Sequence, residues 1–390
     1  MKTHKNIKLI AWHNFFTDFK LYSGIAIIYF SQITHSLALG MLIFSIVNIS
    51  DAIFEVPTGI LSDMVGRKYT VVLGSLAAVC YAIFYAIGTS FWILALGAIF
   101  QGISIAFYSG NNEALLHDSL KEVGKEKEYH EFLGKLSSFF QMALALGAVI
   151  GSLLASKSFA IVMWLSVIPQ IICFFISLKM EEPHIYIKKS SNIYAHMKEA
   201  FGLFMANRKL RLVSFGSMLS GAVGEASFQF QAAFYNTLWP LWAIGLAKLL
   251  SYLGATFSFL FSGKLINRLK EIKVLLLGNV YSRLINTISV LIPTKLSPVL
   301  MSSTSIFYGS SFVAKSSLLQ KEFTSHQRAT IASLNSLGES LLFSIFAYLF
   351  GLIGDYFGPA KTVIVAQIIA LIGTYFLWLV FREQKKTADK

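Results

Sequence analysis

Nine ionisable side chains stand in stretches that are otherwise apolar: the acids Asp18, Asp51, Glu55, Glu113, Glu225 and Glu339, and the bases Lys20, Lys248 and Arg283. A charge at the centre of a lipid-facing helix costs about 2.5–3.5 kcal/mol on the insertion scale, so such groups must look into a protein interior or a wet path. Embedded acids are the side chains able to load and release protons there, and Glu225, Glu113, Asp18 and Glu339 are the candidates for proton coupling. The bases supply positive charge for an anionic or zwitterionic cargo. Asp18 and Lys20 are two positions apart, so a continuous helix would give them different faces and different partners. Gln101, Ser104, Tyr108 and Asn111 recur at helical spacing as a polar stripe with Glu113 beside it, and Glu225 and Gln229 share a face at i, i+4. A run of hydroxyls, including Ser302, Ser303, Thr304, Ser305, Tyr308, Ser310 and Ser311, serves either a polar path or close helix packing through small hydrogen bonds. Asp51 and Glu55 lie one turn apart. Arg283 forms a stripe with Asn279 and Asn286.

The elements that carry these residues follow from composition. The chain has 390 residues, 55% hydrophobic and only 14% charged, with a mean hydropathy of +0.63. Soluble domains carry about 25% charged residues, so a large soluble enzyme, a secreted scaffold and a disordered regulator are excluded. Hydropathy predicts twelve spans, at about 9–33, 37–62, 69–88, 91–117, 132–155, 159–179, 210–236, 241–263, 272–292, 297–319, 327–353 and 360–381. Backbone groups in hydrocarbon must be satisfied within the segment, so these are helices, and no alternating pattern suggests a barrel. With the N-terminus inside, 27 of 33 Lys and Arg fall in cytoplasmic segments, which predicts both termini in the cytoplasm. The net charge of +13 is therefore read as loop charge facing the cytoplasm and not as nucleic-acid binding. Cys80 and Cys173 lie in apolar runs and indicate no disulfide framework, and the basic start predicts no cleavable leader.

The long basic connection 180–209 divides the chain into a six-helix bundle over 1–179 and a second over 210–390. Gly59, Gly74 and Gly147 recur 204 residues later as Gly263, Gly278 and Gly351, with Asp63 matched by Asn267. Four matches at one offset predict a parallel duplication, a transporter repeat pattern.

The loop after the second span reads Gly59-Ile-Leu-Ser-Asp63-Met-Val-Gly66-Arg67-Lys68. Gly59 and Gly66 would permit close helix approach and a tight turn, and Asp63 could sit at a helix N-terminus and pair with Arg67. The loop resembles the signature G-x-L-A-D-x-x-G-R-K of the major facilitator superfamily, with Ser for Ala. That resemblance implies an all-α membrane protein of twelve helices in two pseudo-symmetric six-helix bundles. It implies that the loop latches against the start of span 11, here flanked by Thr324, Ser325 and Arg328, and that spans 1, 4, 7 and 10 line a cavity while 3, 6, 9 and 12 support it. Cavity candidates are then Gln101, Tyr108, Asn111, Lys20, Gln229, Lys248 and Tyr308. Asp51, Glu55 and Arg283 fall to a structural ion network, the first two beside the latch. The stretch Ser109 to Leu120 is similar to the end of span 4 in a group of prokaryotic facilitators. Two features depart from drug–proton antiporters of the superfamily: Ala98 stands where they carry Arg, and Gly147-Ala148-Val-Ile-Gly151-Ser152 stands where they carry G-P-x-x-G-G.

No phosphate-binding loop, metal-ligand pair or enzyme signature is present in the sequence, and no cofactor is expected. His117 and His326 read as solvated loop-end residues. The expectation is a monomeric secondary transporter of the inner (plasma) membrane, moving a small organic solute by alternating access with proton coupling. Efflux of amphipathic compounds by proton antiport competes with movement of a polar metabolite or metal chelate. A facilitator-fold receptor or lipid-handling protein that does not cycle is the reading from another class.

Overall fold

The computed structural model describes residues 2–183, 202, 204, 205, 207–321 and 328–388. The expected linker 180–209 lies largely outside them, as do Thr324, Ser325 and His326. Among the described residues the chain is helical throughout and has no strand. It divides into two compact units, Met1–Ser190 with Pro240–Leu249, and Ser191–Trp239 with Leu250–Lys390.

The first unit is built from α1 (Lys2–Asp18), α2 (Ala26–Thr34), α3 (Leu37–Val65), α4 (Arg67–Ala86), α5 (Phe91–Tyr108), α6 (Asn111–Glu122), α7 (Tyr129–Ala155) and α8 (Phe159–Leu178). The second holds α9 (Arg208–Tyr235), most of α10 (Leu241–Leu269), α11 (Glu271–Leu291), α12 (Ser297–Ser303), α13 (Tyr308–Lys321), α14 (Arg328–Phe357) and α15 (Pro359–Ala388). The helix ends are set by familiar chemistry. His35, at φ 55°, closes α2, and the Ser36 hydroxyl caps α3 by accepting the Leu39 N–H at 3.1 Å. The Asn207 side chain caps α9 through the Leu210 N–H at 3.0 Å, and Pro359 opens α15 behind Gly358 at φ 83°.

Nine helices among the described residues are long and apolar enough to cross a membrane. The three expected spans that fall short are 1, 7 and 10. Span 1 is not one helix: α1 ends at Asp18, a turn and a short 3-10 segment over Ser23–Ile25 follow, and α2 completes the crossing. Span 10 is broken in the same way, by the 3-10 segment Thr304–Phe307 between α12 and α13. Span 7 is continuous as α9 but polar at its start. Span 4 also breaks, at Ser109–Gly110, where Gly110 takes a left-handed φ of 68°. Freed backbone groups at such breaks are tolerated only in protein or at a water-lined space. The outward faces elsewhere are apolar, as at Trp92, Phe175, Leu260 and Tyr356, which are all well exposed. That is the surface of a helix set meant for lipid.

The duplication has a backbone counterpart in each unit. Gly66 joins α3 to α4 at φ 100°, ψ 158°, and Lys270, 204 residues on, joins α10 to α11 at φ 68°, ψ 156°. Gly74 and Gly278 also have matching surroundings. A β-carbon at Gly74 would lie 2.8–2.9 Å from Tyr108 and Phe107, and one at Gly278 2.8–3.0 Å from Ser311 and Phe307. In both units, therefore, the third helix crossing presses its backbone on the fourth.

Candidate functional site

The breaks in spans 1 and 4 meet a cavity of about 490 Å³ inside the first unit. From α1 and its turn come Asn14, Thr17, Asp18 and Lys20. The α5–α6 break contributes Tyr108, Ser109, Gly110, Asn112 and Glu113, and α7 closes the wall with Leu133, Leu136 and Phe140. One side is thus polar and charged, the other apolar.

The turn changes the expected pairing of Asp18 and Lys20. Because α1 stops at Asp18, the Lys20 backbone N–H folds back to the Asp18 carbonyl at 2.8 Å. The side chains then meet, Nζ to Oδ1 at 3.9 Å, with the Lys20 ammonium 5.9 Å from the Tyr81 ring centre. The expectation of separate partners assumed an unbroken helix, and the break removes its premise. The polar stripe of span 4 divides for the same reason. Tyr108 lines the cavity and donates to the Ser75 hydroxyl at 3.1 Å. Gln101 turns into packing and accepts from the Tyr85 hydroxyl at 2.7 Å. Asn111, beyond the break, is buried, accepting from Ser62 at 2.5 Å and donating to the Phe107 carbonyl at 2.8 Å. Gln101 and Asn111 do not line this cavity. Asn14, Thr17, Ser109, Asn112 and the α7 residues do, and sequence spacing missed them because a periodicity window runs across a break without registering it.

Small residues hold the turn of span 1 in place. A β-carbon on Gly147 would lie 3.0 Å from the Lys20 carbonyl oxygen, and one on Gly151 would overlap the carbonyl oxygen of Leu21. On the adjoining face of α7, Ser152 donates to the Trp242 carbonyl at 3.1 Å and accepts the Gly245 N–H at 3.1 Å, all within the first unit. The Gly-Ala-x-x-Gly-Ser stretch therefore serves backbone-to-backbone packing. Behind the cavity, His13 is buried with Nε2 2.9 Å from the Ser75 hydroxyl, and Tyr108 stands edge-on to its ring at 5.2 Å. Sequence inspection gave no reason to single out His13.

The described part of the signature loop is held within the first unit by two acids from other elements. Arg67 pairs with Asp118 of α6 at 2.9 Å. The Glu182 carboxylate accepts the backbone N–H groups of Arg67 and Lys68 at 2.9 and 2.7 Å, capping the positive end of α4. Gly66 makes the turn that brings them there. A β-carbon at Gly59 would meet no described atom within 4 Å, so close helix approach is not what this glycine serves among those residues. The side chains of Asp63 and Arg328 lie outside the described residues. Asp51 and Glu55 occupy successive turns of α3, and Asp51 Oδ1 is buried without a hydrogen-bond partner among the described residues. Neither makes an ion pair with Arg67, and among the described residues the carboxylate that does is Asp118. His117 bridges this loop to the next, 3.5 Å from both Asp118 and Glu126.

In the second unit the embedded groups form their own cluster. Gln229 donates to Glu225 at 2.8 Å along α9, as the i, i+4 spacing predicts. Glu339 of α14 pairs with Lys315 of α13 at 2.5 Å and lies against Gly221, where a β-carbon would collide with it. Lys315 stands inside predicted span 10, yet the charge count places it with the cytoplasmic bases, which hides the pair. Tyr308 opens α13 and is exposed, within electrostatic reach of Glu225 and Glu339. Arg283 is buried, and its side-chain partners among the described residues are two carboxamides, Gln367 and Asn279, each at 3.0 Å. Lys248, on the part of α10 that belongs to the first unit, is buried. The hydroxyls of span 10 go largely into packing: Ser302, Ser303 and Thr304 donate to backbone carbonyls one turn back, and Ser310 bonds Ser258 at 2.8 Å. Cys80 and Cys173 are both free.

Several known proteins resemble this chain. The chain is 24% identical over 258 residues to the inner membrane transport protein YajR of Escherichia coli K12, covering 60% of this chain and 51% of that one. It is 30% identical over 155 residues to the uncharacterized transporter BU466 of Buchnera aphidicola, covering 39% and 38%. The matches thus span about half or less of those relatives. Among solved structures, the nucleoside transporter NupG aligns with a TM-score of 0.82 at 14% identity, over 98% of this chain and 99% of that one. A bacterial homolog of the human lysosomal transporter Spinster aligns at 0.79 and 15%, over 98% and 97%. Both share the fold, that of twelve-helix facilitators. The family model of the Major Facilitator Superfamily matches residues 10–345, and with the broken spans, the signature loop and the matched bends in hand, this multi-pass membrane chain belongs to the Major Facilitator Superfamily.

Proposed function

We propose that the chain is a secondary active transporter that carries a small organic solute across the inner membrane by alternating access, coupled to protons. The observation that supports this reading most is the 490 Å³ cavity at the two helix breaks, which brings Asp18, Lys20 and Glu113 to one space inside an apolar bundle. The second unit supplies the matching ingredients in Glu225, Glu339 and Lys315. Alternating access requires cargo or proton to favour one state over the other, and carboxylates beside the cavity provide that difference by changing charge. The apolar wall of Leu133, Leu136 and Phe140 favours, as a second reading, efflux of amphipathic compounds by proton antiport. The names of the relatives, an inner membrane transport protein and a nucleoside transporter, agree with solute movement without selecting the cargo.

The test begins with a thermal-shift screen of purified protein to find a binding solute, since binding raises the unfolding midpoint whatever the transport direction. That solute is then followed into proteoliposomes under an imposed pH gradient. Single replacement of Asp18, Glu113, Glu225 and Glu339 by Gln is expected to abolish pH-driven flux in at least one variant. Full pH dependence in all four overturns proton coupling through these acids. Solute binding with no flux under any gradient overturns transport and favours the non-cycling receptor.

A further inference from the structure

The cavity of the first unit has an imbalance of charge that bears on the cargo class, an inference that rests on its being the solute site. Its wall carries two carboxylates, Asp18 and Glu113, against one ammonium, Lys20. Lys20 is already engaged, with Asp18 at 3.9 Å and with the face of Tyr81 at 5.9 Å. Glu113 is exposed to the cavity and makes no hydrogen bond or ion pair among the described residues. Its place in the first turn of α6 lets the helix end offset part of its charge, and no cation completes the neutralisation there among the described residues. An anionic solute would meet two negative groups and a base that is in use. A zwitterion would need that same base.

The remaining wall fits a particular body. Phe140, Leu133 and Ile105 offer apolar surface of ring size. On the same cavity wall Asn112 donates to Asn14 at 3.3 Å, a carboxamide pair that can turn to a hydroxyl or a second nitrogen. We propose that this cavity takes a monocationic amine with a compact apolar or aromatic body, the ammonium at Glu113 and the body against Phe140 and Leu133. This reverses the anionic or zwitterionic cargo that the bases alone suggested, because the structure commits Lys20 and leaves Glu113 open.

Three probes with one phenyl body and different charge test it: 2-phenylethylamine, 2-phenylethanol and 3-phenylpropionate, titrated calorimetrically into the full chain in detergent. The amine is expected to bind at least about tenfold more tightly than the alcohol, and the propionate more weakly than either. Glu113→Gln is expected to bring the amine down to the alcohol while leaving the alcohol's affinity in place. A second readout needs no variant: the amine, unlike the alcohol, should protect Glu113 of the unmodified chain from a hydrophobic carbodiimide, as mapped by peptide mass. Equal affinities for amine and alcohol, preference for the propionate, absence of amine binding, or unprotected Glu113 overturns the proposal. These measurements use no gradient. Amine binding without flux would leave this inference standing and overturn transport, whereas flux of the propionate without amine binding would do the opposite.

Discussion

At the scale of single residues, the positions that decide the site are the ones whose surroundings depend on a break in a helix. Asp18 and Lys20 are recognisable as embedded charges from their types alone, but their pairing is not, because it exists only where α1 stops. Lys315 is visible in the sequence, and only a few residues of precision at the end of span 10 separate a loop cation from an embedded one. Arg283 reads as a member of an ion network, whereas amide oxygens satisfy two of its nitrogens. A charged group announces that it needs partners; it does not announce which. The same scale yields a stability prediction at Lys270. Its φ of 68° with ψ of 156° is a conformation suited to glycine, and the residue 204 positions earlier, Gly66, adopts it as glycine. Such strain costs of order 1–3 kcal/mol. Lys270→Gly is expected to raise stability by about 1 kcal/mol, read as a higher unfolding midpoint in detergent. A midpoint equal to or below that of the parent chain would show that the loop relaxes the strain another way.

At the scale of elements, hydropathy placed twelve crossings well and their interiors poorly. A window long enough to find a span averages over the few residues in which spans 1, 4 and 10 leave helical geometry. Only local turn chemistry, as at Gly110, hints at the interruption. Three of the four spans expected to face the cavity are broken, and the fourth, α9, is too polar to score as a crossing. Weak hydropathy thus marks spans 1, 7 and 10, whereas span 4 breaks inside a strongly apolar stretch and gives no such signal. The glycines of α7 carry the testable consequence. Gly151→Ala puts a methyl where the Leu21 carbonyl oxygen now sits, and the turn or α7 must shift. The expected cost is about 1–3 kcal/mol in unfolding, together with loss of solute binding. Gly59→Ala, inside α3 and with no described atom within 4 Å of the new methyl, is expected instead to stabilise by about 0.5–1 kcal/mol through helix propensity. Equal effects of the two substitutions would show that the packing at Gly151 is looser than described.

At the scale of the whole molecule, each unit carries the same bend and the same glycine-mediated crossing, 204 residues apart. The sequence repeat at Gly74 and Gly278 is thus a repeat of packing, while Gly59 and Gly263 match in sequence and have no described neighbour to explain it. The distribution of Lys and Arg predicts that both termini face the cytoplasm. A protease site added at either end is expected to be cut in inverted membrane vesicles and protected in intact spheroplasts. Cleavage of either from outside would refute that orientation. One consequence belongs to the turn of span 1. The main chain at Lys20 and Leu21 rests on Gly147 and Gly151 with no side chain between them to act as a cushion. Joint and neighbouring helix must then travel as one piece. Whatever motion admits a guest to the adjoining hollow is then expected to hinge elsewhere, and the break at Ser109–Gly110, with Gly110 at a left-handed φ of 68°, is the joint left to it.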